Sequence, residues 1–543
     1  MNSEAPPTKS KLLLRCEWIG CLVVALAAIW LHVFNLHHAG GLWRDEVGGF
    51  SLATSATLGE LWSLLTLDSF PLAMPVLLRA WNALGFADTD PHLRWLGLLI
   101  GLALLAAIWL GTFAITKRPA LIALALLATS STVIRWGDSL RAYGLGCVFL
   151  LLTLGAIWSL LQKPDWRRFT LTTVFAVLSV QTLYQNAFLL LAMCCGAWAV
   201  CVPKKNWRAT LLVGAAGVIA AATLVPYLAG MVASQKWWAL QNTGFKPHWI
   251  WERLYIALSV PCEWQPLVWL AVFVLAIIVG LAAWRKRDSA HADRKIFALT
   301  TLFASLVLFT LFIWLTRLPT QVWYFLPLLA LGAVCCDAIL TDAFAGAGGW
   351  RLGLLGLMAL LPLSTVADSL KRRLTNADLI LPQIAAEATA NDLIVVQPWY
   401  AGVEFQRYYH GRARWTTIPQ LADFRLQRFD LVREKMIAGN AAAPVLAECE
   451  KTLAAGHRVW LVGLLHWFQI PPVAPDEPPP PPTGPDGWNE FYYEQVWFGQ
   501  VAHFLTLNSV GSPRVMMPPE TEVFEDIEYY VFEGRKVDAP TQP

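Results

Sequence analysis

The chain has 543 residues, 56% of them hydrophobic and only 15% charged, with a mean hydropathy of +0.49. Soluble globular domains carry roughly a quarter charged residues, so this composition excludes one and points to a membrane protein. The net charge is only +3 and no basic run is long enough to hold nucleic acid.

Lys9, Lys11 and Arg15 precede the first apolar run. That run is long for a signal peptide, so an uncleaved first helix is expected over residues 17–36, basic flank inside. The outer segment that follows, 37–92, opens with GLWRDEVGGF, in which Asp45 and Glu46 are adjacent carboxylates at the membrane rim. Residues 70–86 are apolar but short and contain Pro71, Pro75 and Arg79, so they either span or lie in the interface. The positive-inside rule decides for the interface. With that choice 93–116, 120–134, 145–161, 169–183, 187–202, 209–228, 267–284, 296–315, 322–340 and 352–366 alternate in direction. Lys117, Arg118, Lys163, Lys204, Lys205 and Arg285 then fall inside. The expected count is about eleven spans.

No spanning run follows. DLIVVQ from Asp392 and HRVWLVGL from His457 read as strands, with helical runs at 382–390 and 431–438 between and around them. Residues 367–543 are therefore expected to form an outer soluble α/β domain, with a proline-dense insert at 471–487 that is extended or mobile. Most of the ten cysteines lie in or beside apolar runs and read as small hydrophobes. Cys262 and Cys449 fall on the outer side, where spacing leaves a bridge open.

Charged groups gather at the expected outer rim. After Asp45 and Glu46 come Asp68, then RWGDSLRAYGL with Arg135, Asp138, Arg141 and Tyr143, then Arg317 in TRLPTQVWYFLP. If helical, Asp138 and Arg141 share a face. Tyr184 stands at another outer turn. A carboxylate can take a proton from a hydroxyl, and Arg can clamp phosphate oxygens in a fork. His248 and His410 lack partners at metal-ligand spacing, whereas a carboxylate such as Glu46 could bind a cation, and the metal is unknown.

These pieces resemble the GT-C glycosyltransferases that use lipid-linked sugars. The nearest pattern is the protein O-mannosyltransferase and lipid A aminoarabinose transferase group, especially its bacterial galacturonosyltransferase-like branch. RDEVGGFSLA matches the family's DE pair after the first helix. DSFPLAMPVLLRAW resembles its D-x-H-P-P-L-Y and L-L-x-x-W segment, keeping Asp68, Pro71 and Trp81, with Phe70 in place of the histidine. DSLRAYGL resembles E-A-R-P-Y-A-L, with the acid one residue further away, and TRLPTQVWYFLP resembles K-L-P-x-Y-x-x-P.

The resemblance implies a GT-C-like α-helical polytopic domain over 1–366 in the bacterial inner membrane, with active site and C-terminal domain extracytoplasmic. It implies transfer of a sugar, with inversion, from a polyprenyl-phosphate donor to an envelope lipid, glycan or protein. Asp45, Glu46 and Asp138 would be catalytic. Arg141, Arg317 and Tyr143 would hold the donor phosphate, with Asp68, Arg135 and Tyr184 as further site candidates. A divalent cation is left open as a cofactor. The competing class is a polytopic transporter or lipid-linked-sugar flippase, which charges in mid-span would favour. A non-catalytic scaffold for envelope assembly is a third.

Overall fold

The computed structural model describes residues 8–238, 246–285, 290–316, 320–343, 349–482, 489–512, 514–516 and 523–534. Helix α1 (Thr8–His38) runs 31 residues without a proline to interrupt its backbone ladder. The chain then turns at Gly40, φ +67°, where a side chain would be strained and would strike the Arg373 guanidinium. Three short helices follow: α2 (Arg44–Ala53), α3 (Leu58–Leu64) and α4 (Ala73–Ala83). With 11 residues, α4 is about 16 Å long. That is well under the roughly 30 Å of a bilayer core, in keeping with an interfacial placing of 70–86.

The bundle continues with α5 (Asp90–Thr116), α6 (Leu121–Leu127), α7 (Ser131–Gly137), α8 (Tyr143–Gln162), α9 (Trp166–Val180) and α10 (Asn186–Cys201). After these come α11 (Trp207–Ala222), α12 (Leu228–Trp238), α13 (His248–Ser259), α14 (Gln265–Arg285), α15 (Ala290–Thr316), α16 (Leu326–Leu340), α17 (Trp350–Leu355) and α18 (Leu363–Leu370). Among the described residues, eight helical segments are long and apolar enough to cross a membrane. The chain is thus a helical, multi-spanning membrane protein. Three segments expected as spans are shorter. Residues 120–134 divide into α6 and α7, because Ser130 caps α7 by accepting from the Val133 N–H. Helices α9 and α10 have 15 and 16 residues, about 23 Å.

One end of the bundle gathers the C-terminus of α1 with the N-termini of α5, α8 and α16. Arg94 reaches Glu46, Tyr408 bridges Leu42 to Asp90, and Tyr143 faces Tyr324. The opposite end holds a separate network, in which Arg351 meets Glu17, Asp337 and the Pro119 carbonyl.

Beyond Leu370 the chain becomes α/β. Strand β1 (Arg373–Thr375) is followed by α19 (Ala377–Glu387), β2 (Leu393–Gln397), α20 (Gly402–Tyr408), β3 (Arg414–Thr417), α21 (Phe429–Ala438) and α22 (Ala443–Ala454). Then come β4 (Val459–Gly463), α23 (Glu490–Asn508), β5 (Arg514–Met516), β6 (Val523–Glu525) and β7 (Glu528–Phe532). The main sheet has the order β3-β2-β4-β7-β5. Its first three strands are parallel, with Val395 opposite Leu461, and β7 is antiparallel to β4. Every residue of β2 and β4 is buried, as a parallel sheet covered on both faces requires. Helices α19 and α20 cover one face, and α22 and α23 the other.

The proline-dense insert, where described, lies extended along α23. Gln500 donates to the Pro475 carbonyl at 3.2 Å, and Gly499 leaves room for that ring. All ten cysteines are free, and Cys449 is buried in the α/β core, so Cys262 and Cys449 form no bridge.

Candidate active site

The segment after α1 positions the site. Helix α2 begins at Arg44, and Glu46 in its first turn accepts the Trp43 backbone N–H at 3.3 Å, half of a capping box. The other Glu46 oxygen accepts from Arg94 Nη1 at 2.7 Å and from the Leu140 N–H at 2.9 Å. Glu46 is fully buried. Its three donors satisfy a charge that would otherwise be very costly to bury. A catalytic role for Glu46 therefore needs correction: it ties α2, α5 and the α7–α8 turn together and does not line the cavity described below.

Asp45 lies one residue away on the helix, rotated by about 100°, and faces a cavity of about 170 Å³. Polar side chains Arg44, Asp45, Asp68, Arg141, Gln321 and Gln427 line it together with aromatic Tyr143, Trp323, Tyr324 and Phe429. The Asp45 side chain is 22% exposed. Its Oδ1 accepts from Gln427 Nε2 at 2.7 Å, and Arg44 Nε stands 3.8 Å from the same oxygen. Arg141 donates to the Asp45 backbone carbonyl at 3.0 Å and to Asp68 Oδ1 at 3.2 Å, and its guanidinium lies over the Phe70 ring at 4.4 Å. Phe70 is thus the platform under Arg141.

Asp138 does not join this group. It ends α7, its carboxylate is buried, and it is held by His32 Nδ1 at 2.7 Å and Asn35 Nδ2 at 3.1 Å. No room exists between it and α5: a Cβ on Gly101 would overlap its Oδ1. Asp138 and Arg141 are not on one helical face, because α7 stops between them. Arg135 also points elsewhere, donating to the backbone carbonyls of Ser369 and Arg372, where it fastens the bundle to the start of the α/β domain. Arg317 lies outside the described residues.

A second, larger cavity of about 590 Å³ adjoins the first. Its walls are mainly apolar, with Trp62, Leu65, Phe70, Leu183, Leu224 and Phe312 among them, and Tyr184 lies here. Thr66, Asp68, Ser69, Tyr143 and Tyr324 line both cavities, so polar chamber and apolar groove lie against each other.

The α/β domain sits on this end of the bundle. Arg407 pairs with Asp90, and Arg44 donates to Glu525 at 2.9 Å while its guanidinium lies 4.4 Å from the Tyr400 ring. Around Arg44 the carboxyls of Glu404, Glu490, Glu494 and Glu525 are all buried. Burial pushes Glu490 and Glu525 up to about 7, and Glu404 and Glu494 well above the usual carboxylate range. One arginine thus serves several acids that burial holds toward their neutral form.

Among the described residues no three His, Cys, Asp or Glu side chains are grouped so as to hold a metal ion. The sequence singled out Asp45, Asp68, Arg141, Tyr143 and Tyr184, and the structure places them all at the joined cavities. Gln427, Gln321 and Trp323 were not singled out. Only the WYFLP stretch hinted at the last, and nothing local marks Gln427, which comes from another domain.

No family model matches the chain, and no curated protein matches it. Among solved structures, it is similar to the Archaeoglobus fulgidus oligosaccharyltransferase in complex with Zn and sulfate, with 11% identity, a TM-score of 0.47 and coverage of 81% of this chain and 67% of that one. The apo form of that protein gives 12%, 0.47, 82% and 69%. The form tethered by a disulfide to an acceptor peptide containing the NVT sequon gives 12%, 0.49, 97% and 75%. Likeness at this level carries no argument about activity.

Proposed function

We propose that the chain is a GT-C-like membrane glycosyltransferase that moves a sugar from a polyprenyl-phosphate donor to an envelope acceptor on the outer side of a bacterial inner membrane. One observation carries this reading: a polar chamber holding Asp45, Asp68 and Arg141 lies directly against an apolar groove, and the two share Asp68, Tyr143 and Tyr324 among their walls. A lipid-linked sugar needs both, an apolar bed for its tail and polar groups for its phosphate and sugar.

The roles follow from the contacts. Asp68 is occupied by Arg141, whereas the nearest donor to Asp45 is a neutral amide. Asp45 is therefore the better base. It takes the proton of the acceptor hydroxyl, whose oxygen bonds to the anomeric carbon from the face opposite the phosphate. The bond from that carbon to the phosphate oxygen breaks, and polyprenyl phosphate leaves with the electron pair. Arg141, seated on Phe70 at the junction of the cavities, stabilises that departing charge, with Tyr143 beside it. Arg317 keeps the same proposed role. The tyrosine and tryptophan faces of Tyr324 and Trp323 suit a sugar ring.

A transport reading would look to a charge within the spans. Asp337 is such a charge, but Arg351, Thr341 and the N–H groups of Ile122 and Ala123 hold it. Mass spectrometry of a deletion strain tests the proposal. A polyprenyl-phosphate sugar should accumulate while one envelope glycan loses a residue, and unchanged lipid-linked sugars and glycans would overturn it.

A further inference from the structure

We propose that Gln427 positions the Asp45 carboxylate for catalysis, so that the base is completed by a residue of the α/β domain. The inference rests on the reading of Asp45 as the base. A carboxylate at the first turn of a helix can turn about its side-chain bonds, and a base must present one oxygen in one direction. Here the one hydrogen-bond donor, Gln427 Nε2 at 2.7 Å, addresses Oδ1, and the Arg44 guanidinium, whose Nε–H goes to Glu525, stands 3.8 Å from that same oxygen as a neighbouring charge. Among the described residues Oδ2 has no such partner, which leaves it to meet the acceptor hydroxyl. A neutral amide can fix the group in this way without placing another cation on it. The contrast is Asp68, which is held by a guanidinium.

Gln427 can do this because its own segment is fastened on both sides. Leu426, next to it, is buried among Leu52, Leu61, Leu65 and Tyr227 of the membrane domain. Arg425 reaches Glu60 at 2.8 Å, and Arg428 forks between Asp423 and Asp430. Phe429 packs edge-on against Trp399 at the end of β2. The segment between β3 and α21 therefore forms a strap on the cavity wall, from which Gln427 reaches Asp45. Other charged or titratable groups facing Asp45 are Arg44, Arg141 and Asp68 around the chamber, Tyr143 and Tyr324 on its wall, and Glu525 from β6.

The test uses the full-length protein in detergent, with a lipid extract of a strain lacking it as the source of donor and acceptor. Rates are followed against extract concentration to saturation. Gln427→Leu should lower the saturating rate about tenfold or more and leave the half-saturating concentration and melting temperature unchanged. In an Asp45→Asn background the same substitution should cost nothing further, since its effect passes through Asp45. If Gln427→Leu melts early, Gln427→Met, closer in length, repeats the measurement. An unchanged rate, a faster rate, or a loss that persists in the Asp45→Asn background would each overturn the proposal. Full activity of Asp45→Asn alone would instead overturn the reading of Asp45 as the base.

Discussion

Asp45 and Glu46 are neighbours in sequence and opposites in surroundings. One side chain is 22% exposed in a chamber, beside an amide and at longer range an arginine; the other is fully buried with three donors on it. Asp68 and Asp138 differ in position and not in burial, at 8% and 7% exposed: the first lines both cavities with Arg141 on it, and the second is held by His32 and Asn35 away from them. A rim carboxylate thus either faces the chamber, as Asp45 does, or is closed in as a structural pin, as Glu46 is. Which one it becomes depends on whether its partners leave an oxygen open to the cavity.

Four measurements sharpen or break that contrast. The largest effect should come from the pins: Glu46→Ala leaves Arg94 charged and buried and should cost about 3–5 kcal/mol. Thermal unfolding in detergent would show it, and a wild-type melting temperature would mean Glu46 holds nothing. Next, Asp45→Asn should melt normally and lose at least about a hundredfold in turnover, the scale of a lost general base. Third, Arg141→Ala should weaken use of the lipid-linked donor by about 1.5–3 kcal/mol; donor titration with intact membrane expression would read it, and an unchanged donor dependence would make Arg141 another pin. The smallest should be Glu60→Gln, which breaks the exposed pair with Arg425. It should change stability by less than about 1 kcal/mol, with an effect that fades in salt.

The acids around Arg44 add a pH test. Glu490 and Glu525 lie near 4.5 when free and are raised to about 7 in the fold. Their contribution to stability is whole below about 4.5 and is lost as pH rises through about 7. The α/β domain should therefore resist proteolysis better at pH 5 than at pH 8. Equal resistance at both would mean these acids do not hold it down.

Much of the architecture was legible because it rests on local pattern. The apolar runs became helices, and DLIVVQ and HRVWLVGL became β2 and β4, since a buried strand reads as a continuous apolar stretch. The break at Ser130 was visible only as a run of small hydroxyl residues, which compete for backbone hydrogen bonds. Of the lining of the joined cavities, Asp45, Asp68, Arg141, Tyr143 and Tyr184 stood out because they flank apolar segments. The burial of Glu46 could not, since it depends on Arg94, 48 residues away. The Arg135 fastening to the α/β domain and the Gln427 contact depend on docking between domains, which no window of sequence records.

The Gln427–Asp45 bond joins residues 382 apart, and the Arg44–Glu525 bond joins residues 481 apart. Both halves of each contact must be synthesised and brought to the same side of the membrane before either can form. Asp45 is made early, yet the chamber wall waits for the strap, and the docked domain waits for β6. The growing polypeptide thus cannot assemble a finished chamber while it is still leaving the ribosome, and a chain truncated anywhere before the strap would insert its first helices and remain without that wall.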